Sequence, residues 1–321
     1  MLAVTAESIN PDDPLAGLVV GDRPEPASSE GWVTVSVRAA ALNHHDLWTL
    51  KGVGITEDRL PMVLGGDAAG VDDNGEEVIV HSVISSPEWR GDETLDPRRS
   101  LLSERYDGTL ADQVSVPRAN LIPKPASLSF EEAACLPTAW LTAYRMLFVQ
   151  SGIQPGETVL VQGAGGGVAT ALIVLARAGG YRVWVTSRSA EKQRRAIELG
   201  AHDAFDTGAR LPERVDAVFE TVGAATWSHS LKALRPGGTL VVSGATSGAN
   251  PPADLNRVFF LQLRVIGSTM GTRDELERLA RFCDVTGARP VIDSVVPLAD
   301  ARTAFARMDA GEVFGKIVLT P

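Results

Sequence analysis

The chain has 321 residues, 44% of them hydrophobic, and a formal net charge of −10 at pH 7. This length allows two domains of ~100–200 residues each with a buried core. The acidic charge argues against nucleic acid or an anionic membrane as a general partner, because both bind basic surfaces. No apolar run approaches the ~20 residues of a membrane span, so we expect a cytoplasmic protein. The two cysteines, Cys135 and Cys283, are expected to be free and buried.

The N-terminal third of the chain reads as β-rich. Short β-branched runs broken by glycine, proline and aspartate predict strands within residues 32–43, 76–84 and 110–116. A proline-spaced segment follows and leads into a predicted helix that begins at Ser129, with Glu132 three residues later, and ends near Gln150. We therefore place a domain boundary in this segment.

From Glu157 onward, strand, turn and helix alternate. Predicted strands lie within residues 157–162, 181–187, 215–221, 238–244 and 263–269, with helical segments between them. This alternation predicts an α/β domain with a doubly wound parallel sheet, because each parallel strand needs a crossover connection. A last strand, helix and strand within residues 291–321 is expected to return to the first domain. The predicted domains are residues 1–122 with 290–321, and residues 123–289.

A glycine-rich turn between the first of these strands and its helix predicts a phosphate site. In the segment "VLVQGAGGGVATALIVLARAGG" the pattern G-x-x-G-x-x-A is met by Gly163, Gly166 and Ala169. Glycine allows close approach, and the backbone N–H groups of the turn and the helix start point at a pyrophosphate. The predicted cradle comprises Gly163, Ala164, Gly166, Gly167 and Val168.

The end of the next strand predicts which dinucleotide binds. A carboxylate there favours NAD, whereas a cation accommodates the 2′-phosphate of NADP. The strand ends in Ser187, Arg188 and Ser189, with no acid until Glu191 and with Lys192 following. Small hydroxyl groups and a guanidinium suit a phosphate, so we predict NADPH as the cofactor.

Several further segments, taken with the cradle, carry a specific resemblance to a known family. They are "ALNHHDLWTLKG", "LPMVLGGDAAGVD", "AACLPTAWLTAYRML", "ELGAHDAFD" and "GKIVLTP". From about Trp32 to Pro321 the chain resembles the medium-chain dehydrogenase/reductase superfamily. The resemblance implies a GroES-like substrate domain, a Rossmann domain and an active site in the cleft between them. It also implies a homodimer joined through the outermost strand, within "FFLQLRVIGSTM".

The zinc-ligand positions of the family are altered in this chain. Zinc-dependent members hold the metal through three side chains, and the matching positions here are Asn43, Gly66 and Thr138. None of these offers the thiolate, imidazole or carboxylate that Zn²⁺ prefers. The four-cysteine lobe is also absent from the sequence, because residues 85–106 contain no cysteine. The chain is therefore similar to the zinc-less, quinone oxidoreductase-like branch. A rival metal site formed by His44, His45, Asp67 and Cys135 remains an alternative.

Candidate catalytic residues follow from the same resemblance. Asn43 and Thr138 could bind the substrate or the nicotinamide, although Asn43 could equally tie down its own loop. His45 matches the position of a proton relay, and Asp67 either anchors its loop or holds His45. Trp48 could stack on a planar acceptor or pack in the core.

On the cofactor side, the resemblance places His44 near the pyrophosphate. It also places the "VFETVG", "VVSGATSG" and "GSTMGT" loops beside the nicotinamide and its ribose. The residues predicted there are Val222, Gly244, Ala245 and Thr269.

These features predict a zinc-independent NADPH-dependent reductase that transfers hydride to a quinone or an α,β-unsaturated carbonyl. Such acceptors are activated by conjugation and need no Lewis acid, unlike a simple alcohol or ketone. Two alternatives are an alcohol or aldehyde dehydrogenase with a displaced metal site and a non-catalytic NADPH-binding protein. The expected partner is a small carbonyl or quinone substrate.

Overall fold

The computed structural model describes residues 1–27 and 29–321. Contacts divide the described chain into two compact units, Met1–Leu141 with Met270–Pro321, and Thr142–Thr269. We call them unit 1 and unit 2. No helix of the described residues meets the length and apolarity needed to cross a membrane.

The N-terminal part of unit 1 is rich in short strands, as the β-branched runs predict. It carries the helix α1 (His44–Leu50) and, after the predicted capping box at Ser129, the helix α2 (Phe130–Ala134). Its strands are β1 (Leu2–Ala6), β2 (Leu18–Asp22), β3 (Trp32–Ala41), β4 (Met62–Val63), β5 (Asp67–Val71), β6 (Glu77–Val80), β7 (Val83–Ile84), β8 (Ser100–Leu101), β9 (Gln113–Pro117) and β10 (Leu121–Pro123).

The predicted helix from Ser129 to Gln150 is confirmed, although its hydrogen bonding is irregular. Ser129 Oγ accepts from Glu132 N (3.2 Å), and Glu132 Oε2 accepts from Ser129 N (3.0 Å), which satisfies two N–H groups at the helix start. Beyond α2 the chain passes through a π-helical segment, the helix α3 (Leu141–Tyr144) and a second π-helical segment that ends at Gln150.

Unit 2 is a doubly wound α/β fold, as predicted. Its six parallel strands, numbered along the unit, pair in the order 3-2-1-4-5-6 of a Rossmann sheet. Buried β-branched and aromatic side chains are concentrated in the four central strands of this sheet. The elements are β11 (Thr158–Val161), α4 (Gly167–Ala178), β12 (Arg182–Ser187), α5 (Ala190–Leu199), β13 (Asp203–Asp206), β14 (Val215–Glu220), α6 (Ala224–Ala233), β15 (Leu234–Val242), α7 (Leu255–Phe260) and β16 (Arg264–Gly267).

The chain then returns to unit 1, as the sequence predicts. The last elements are α8 (Arg273–Thr286), β17 (Ile292–Pro297), α9 (Ala301–Asp309) and β18 (Lys316–Thr320). β18 pairs with β3 and continues the sheet in the order β10-β6-β5-β3-β18-β17, so the C-terminal strand lies between the N-terminal strand β3 and the edge strand β17.

The contact-based units differ from the sequence boundaries at residues 122 and 290. Residues 123–141 and 270–289, which we predict to lie in the Rossmann domain, make their contacts with unit 1. The domain boundaries themselves stay a prediction.

Candidate active site

The loop between β3 and α1 is held by the buried carboxylate of Asp46. Its Oδ2 accepts from the backbone N of Asn43 (2.8 Å) and its Oδ1 accepts from the backbone N of Gly65 (3.0 Å). Burial raises the pKa of Asp46 to about 6, although His45 and the hydrogen bond from Asn43 act in the opposite direction. Asp46 therefore joins the start of α1 to the loop before β5.

A buried ion pair between Asp67 and Lys316 lies beside this loop. Asp67 was identified from the sequence, whereas Lys316 was not. Lys316 Nζ lies 3.0 Å from Asp67 Oδ2, and it also donates to Asn43 Oδ1 (2.6 Å) and to Leu42 O (2.6 Å). The Lys316 and Asp67 side chains are 2% and 0% exposed. Asn43 Nδ2 donates to Asp67 Oδ2 (2.8 Å). Both polar atoms of the Asn43 amide are thus engaged within unit 1, which favours the loop-anchoring interpretation of Asn43 and Asp67.

Gly66 and Thr138, two of the three altered ligand positions, are close to each other. A Cβ atom built on Gly66 would lie 3.5 Å from Thr138 Oγ1 and 3.6 Å from Ser82 Oγ, which is ordinary van der Waals contact. Ser82 Oγ donates to the carbonyl of Gly66. Gly66 does not have a positive φ, unlike Gly65 at +102°. A Cβ atom therefore fits at position 66, and the backbone does not require glycine there.

The donor atoms around this position do not fit zinc. Gly66 has no side chain, Thr138 offers a neutral hydroxyl, and Asn43 is hydrogen-bonded to Asp67 and Lys316. An ammonium group within hydrogen-bonding distance of Asp67 also competes with any metal for that carboxylate.

The rival site of His44, His45, Asp67 and Cys135 is not assembled. Among residues 1–27 and 29–321 no three or more His, Cys, Asp or Glu side chains come together as a metal would require. Cys135 Sγ donates instead to Glu131 O (3.2 Å), and burial raises the pKa of its thiol to about 12.

His45 has a partner other than the one considered from the sequence. Its Nε2 lies 3.0 Å from Glu104 Oε1, and its Nδ1 lies 3.5 Å from Ser103 Oγ. Burial of the ring favours the neutral form. The hydrogen bond to Glu104 and the negative charges of Asp46 and Glu104 outweigh burial, and they raise the pKa of His45. The hydrogen bond that orients His45 thus comes from Glu104 and not from Asp67.

Trp48 and His44 lie together on the outer face of α1. The Trp48 side chain is exposed, and its ring centroid is 6.5 Å from that of His44. Exposure argues against the core-packing interpretation of Trp48 and leaves both rings accessible to a ligand.

The predicted phosphate cradle in unit 2 is a glycine turn that leads into the start of α4. Gly163 and Gly165 have φ of +77° and +122°, a region that favours glycine. Ala164 N donates to Thr186 O (2.8 Å), which ties the turn to β12. Gly166 is the N-cap of α4 and offers no side-chain cap, so the first N–H groups of this twelve-residue helix suit an anion.

The end of β12 carries the residues predicted to bind a 2′-phosphate. Arg188 is exposed and forms no ion pair with a described residue. Ser189 caps α5 by accepting from Lys192 N (3.3 Å), and Ser187 Oγ accepts from Ser189 N (3.1 Å). The side chain of Lys192 lies beside the cradle, since its Cδ would be 2.9 Å from a Cβ on Gly165. The serine hydroxyls, Arg188 and Lys192 therefore lie at the carboxyl ends of the strands of this sheet.

The remaining predicted cofactor residues follow the next strands of the same sheet. Val222 lies directly across from the cradle, with its Cγ2 2.8 Å from a Cβ on Gly163. Gly244 packs against Thr221, and Ala245 packs against Gly223. Thr269 is exposed at the end of unit 2, two residues beyond β16.

A buried acidic network supports these loops and was not found from the sequence. Glu220 is fully buried at the end of β14, and its Oε1 accepts from Val222 N (2.7 Å) and Gly223 N (3.0 Å). Its Oε2 accepts from Thr226 Oγ1 (2.8 Å) and Ser230 Oγ (2.7 Å). The only sequence signal was the isolated acid in "VFETVG", whose partners lie in the loop after β14 and on the following helix.

A Rossmann sheet, a glycine cradle and a GroES-type β unit define a class of dinucleotide-dependent oxidoreductases. Two family models that match the chain belong to this class. The "Alcohol dehydrogenase GroES-like domain" matches residues 29–126, and the "Zinc-binding dehydrogenase" domain matches residues 167–284. The second match does not include the three altered ligand positions.

Known proteins of similar sequence and structure cover nearly the whole chain. An acryloyl-coenzyme A reductase of Metallosphaera sedula is 30% identical over 92% of this chain and 94% of its own length. The structure of an NAD-dependent alcohol dehydrogenase superposes with a TM-score of 0.92 at 36% identity, covering 100% of both chains. A 2-octenoyl-CoA carboxylase reductase, in complex with NADP and 2-octenoyl-CoA, gives a TM-score of 0.90 at 25% identity, covering 99% of this chain and 87% of its own.

The chain belongs to the medium-chain dehydrogenase/reductase superfamily, and it is an oxidoreductase of the alcohol dehydrogenase and enoyl reductase branch.

Proposed function

We propose that the chain is a zinc-independent, NADPH-dependent reductase of α,β-unsaturated carbonyl compounds or quinones. The observation that carries this proposal is the donor set at the family's metal position. Glycine, a threonine hydroxyl and an amide bonded to the Asp67–Lys316 pair replace the usual ligands. Without a Lewis acid, an acceptor activated by conjugation is the substrate that this site suits.

The choice of NADPH rests on unit 2. Arg188 is exposed and forms no ion pair with a described residue, and the end of β12 carries serines where an NAD enzyme has a carboxylate. The NADP complex of the octenoyl-CoA relative is consistent with this choice, whereas the alcohol dehydrogenase relative is described as NAD-dependent. Bound NADPH would supply the hydride.

The protein's own residues would bind the cofactor and supply the proton. The cradle from Gly163 to Val168 would hold the pyrophosphate, and Arg188 the 2′-phosphate. Hydride addition to the β-carbon of an enone leaves an enolate, which is completed by a proton at the α-carbon. His45, oriented by Glu104 and with its pKa raised, is the group in unit 1 best suited to deliver that proton.

A screen of NADPH and NADH oxidation tests the proposal. The substrates are quinones, enones, enoyl thioesters and simple ketones, each assayed with chelator and with added zinc. We expect NADPH-dependent turnover of conjugated acceptors that chelator does not reduce. Stoichiometric zinc in protein purified without chelator would contradict zinc independence and favour the displaced-metal dehydrogenase. Tight NADPH binding without turnover of any acceptor would instead favour a non-catalytic binding protein.

We also propose a homodimer joined through β16. This strand is at the edge of its sheet and is mostly exposed, and α7 beside it carries Phe259 and Phe260 at 66% and 80% exposure. An uncovered apolar edge is an aggregation hazard, which pairing with a second copy removes. Sedimentation of the purified protein tests this proposal.

A further inference from the structure

A cavity in unit 1 is lined by an unusual concentration of arginine. Its volume is about 500 Å³, within the ~300–1,000 Å³ of typical small-molecule sites. Arg59, Arg98, Arg99 and Arg105 line it, and Glu104 is the one acidic residue among the lining side chains. Four guanidinium groups around one cavity are notable in a chain whose formal net charge is −10.

Internal ion pairs leave much of this positive charge available. Arg98 pairs with Glu88 at 2.8 Å and Arg59 lies 3.8 Å from Asp58. These side chains are exposed, so such pairs are weak and exchange readily with a ligand. Arg99 and Arg105 form no ion pair with any described residue. Arg99 donates to the backbone carbonyl of Asp96 (3.3 Å), and Arg105 lies over the Tyr106 ring at 5.7 Å.

The single carboxylate of the cavity is already committed. Glu104 Oε1 lies 3.0 Å from His45 Nε2, and its Oε2 accepts from the backbone N of Leu101 (3.0 Å). A Cβ atom on Gly54, another residue of the cavity wall, would lie 3.0 Å from Glu104 Oε1. Glu104 therefore connects the arginine cavity directly to His45, the proposed proton source.

We propose that this cavity binds an oxyanion group, a phosphate or a carboxylate, carried by the substrate that is reduced near His45. The inference rests on the proposed reductase function and names its substrate class. Arginine suits the role because its planar guanidinium pairs with phosphate and carboxylate oxygens through two hydrogen bonds. The ligand would be anchored at one end by the arginines and would present its conjugated carbonyl at the other.

Matched substrate pairs test the proposal. Crotonyl-CoA is compared with crotonyl-N-acetylcysteamine, which lacks the phosphates, and acetylacrylate is compared with its methyl ester. The quantity measured is the ratio of kcat/KM for the charged substrate to that for its uncharged partner. The first pair reports a phosphate and the second a carboxylate.

The test variant is R99A/R105A, which removes the two arginines that form no ion pair with a described residue. Loss of two exposed guanidinium contacts corresponds to a loss of affinity of about 5- to 20-fold. We therefore expect the ratio of kcat/KM for charged over uncharged substrate to fall by that factor in at least one pair, because KM for the charged substrate rises. R99K/R105K, which keeps the charge, should retain part of the preference. Arg278→Ala, at an exposed arginine on α8 outside the cavity, should keep the wild-type ratio.

Equal ratios for the wild type and R99A/R105A in both pairs would overturn the proposal. If no substrate is turned over, the reductase function fails, and the cavity is then judged by equilibrium binding alone. Binding of crotonyl-CoA and of acetylacrylate is measured by calorimetry with NADP⁺ at saturation, which blocks the cofactor's own phosphate sites. Weaker binding of either ligand to R99A/R105A supports the cavity as an anion site, and unchanged binding of both overturns it.

Discussion

Replacing Lys316 with methionine tests whether the buried ion pair stabilises unit 1. The Nζ–Oδ2 distance of 3.0 Å corresponds to about 5.5 kcal/mol of attraction at an effective dielectric constant of ~20. Desolvation of both groups offsets most of that gain in the wild type. In Lys316→Met, however, the desolvated Asp67 carboxylate remains without its cation. We therefore expect the free energy of unfolding to fall by about 3–5 kcal/mol.

A double variant separates loss of the pair from loss of packing. D67N/K316M leaves no buried charge, so it should recover much of the stability that K316M loses. Urea-induced unfolding followed by circular dichroism gives both values. Arg194→Ala provides the control, because the Arg194–Glu198 pair is exposed and should contribute about 0.5 kcal/mol or less. A K316M variant within about 1 kcal/mol of the wild type, or a double variant no more stable than K316M, would refute this reasoning.

Four further predictions follow from single positions. Arg188→Asp should raise KM for NADPH by about 10-fold or more and leave KM for NADH nearly unchanged, since only NADPH carries the 2′-phosphate; equal losses would place Arg188 elsewhere. The pKa of His45 is raised, so the protonated fraction of His45 should decline as the pH rises through a value above ~6.5. Since the proposed proton donor must be protonated, kcat/KM should decline with it. His45→Gln should abolish that decline, and an unchanged profile would exclude His45 as the proton source. Gly65→Ala should cost more unfolding free energy than Gly66→Ala, because Gly65 has φ of +102° and its Cβ would lie 2.8 Å from a backbone nitrogen. Phe260→Asp should yield monomers in sedimentation experiments, whereas a monomeric wild type would contradict the proposed dimer.

The fold was predictable because its signals are local. The cradle and the strand before it lie within one short stretch, and alternation of strands and helices fixes a parallel sheet. The capping box at Ser129 is likewise readable from four consecutive residues. The exact limits of the two units were less accessible, because residues 123–141 and 270–289 make contacts that depend on distant parts of the chain.

Only those site residues that lie in segments resembling the family could be predicted from the sequence. The altered ligand positions could be read from the sequence, and the structure places Gly66 next to Thr138. The partners of the charged groups could not be read from the sequence. Glu104, for example, lies 59 positions from His45, so no local pattern indicates their contact. Arg98, Arg99 and Arg105 lie within eight residues of one another, but the sequence does not show that the distant Arg59 lines the same cavity.

The ion pair of Asp67 and Lys316 also has a consequence for how the chain folds during synthesis. The two residues are separated by 249 positions, and β18, which begins at Lys316, pairs with the N-terminal strand β3. Since translation delivers the N-terminal segments first, Asp67 and its neighbouring strands leave the ribosome well before their counter-ion. Unit 2 is meanwhile continuous and can fold as it emerges. The unit that carries the candidate proton donor is therefore the last to be completed, and a nascent chain holds Asp67 without its cation until the final strand is released.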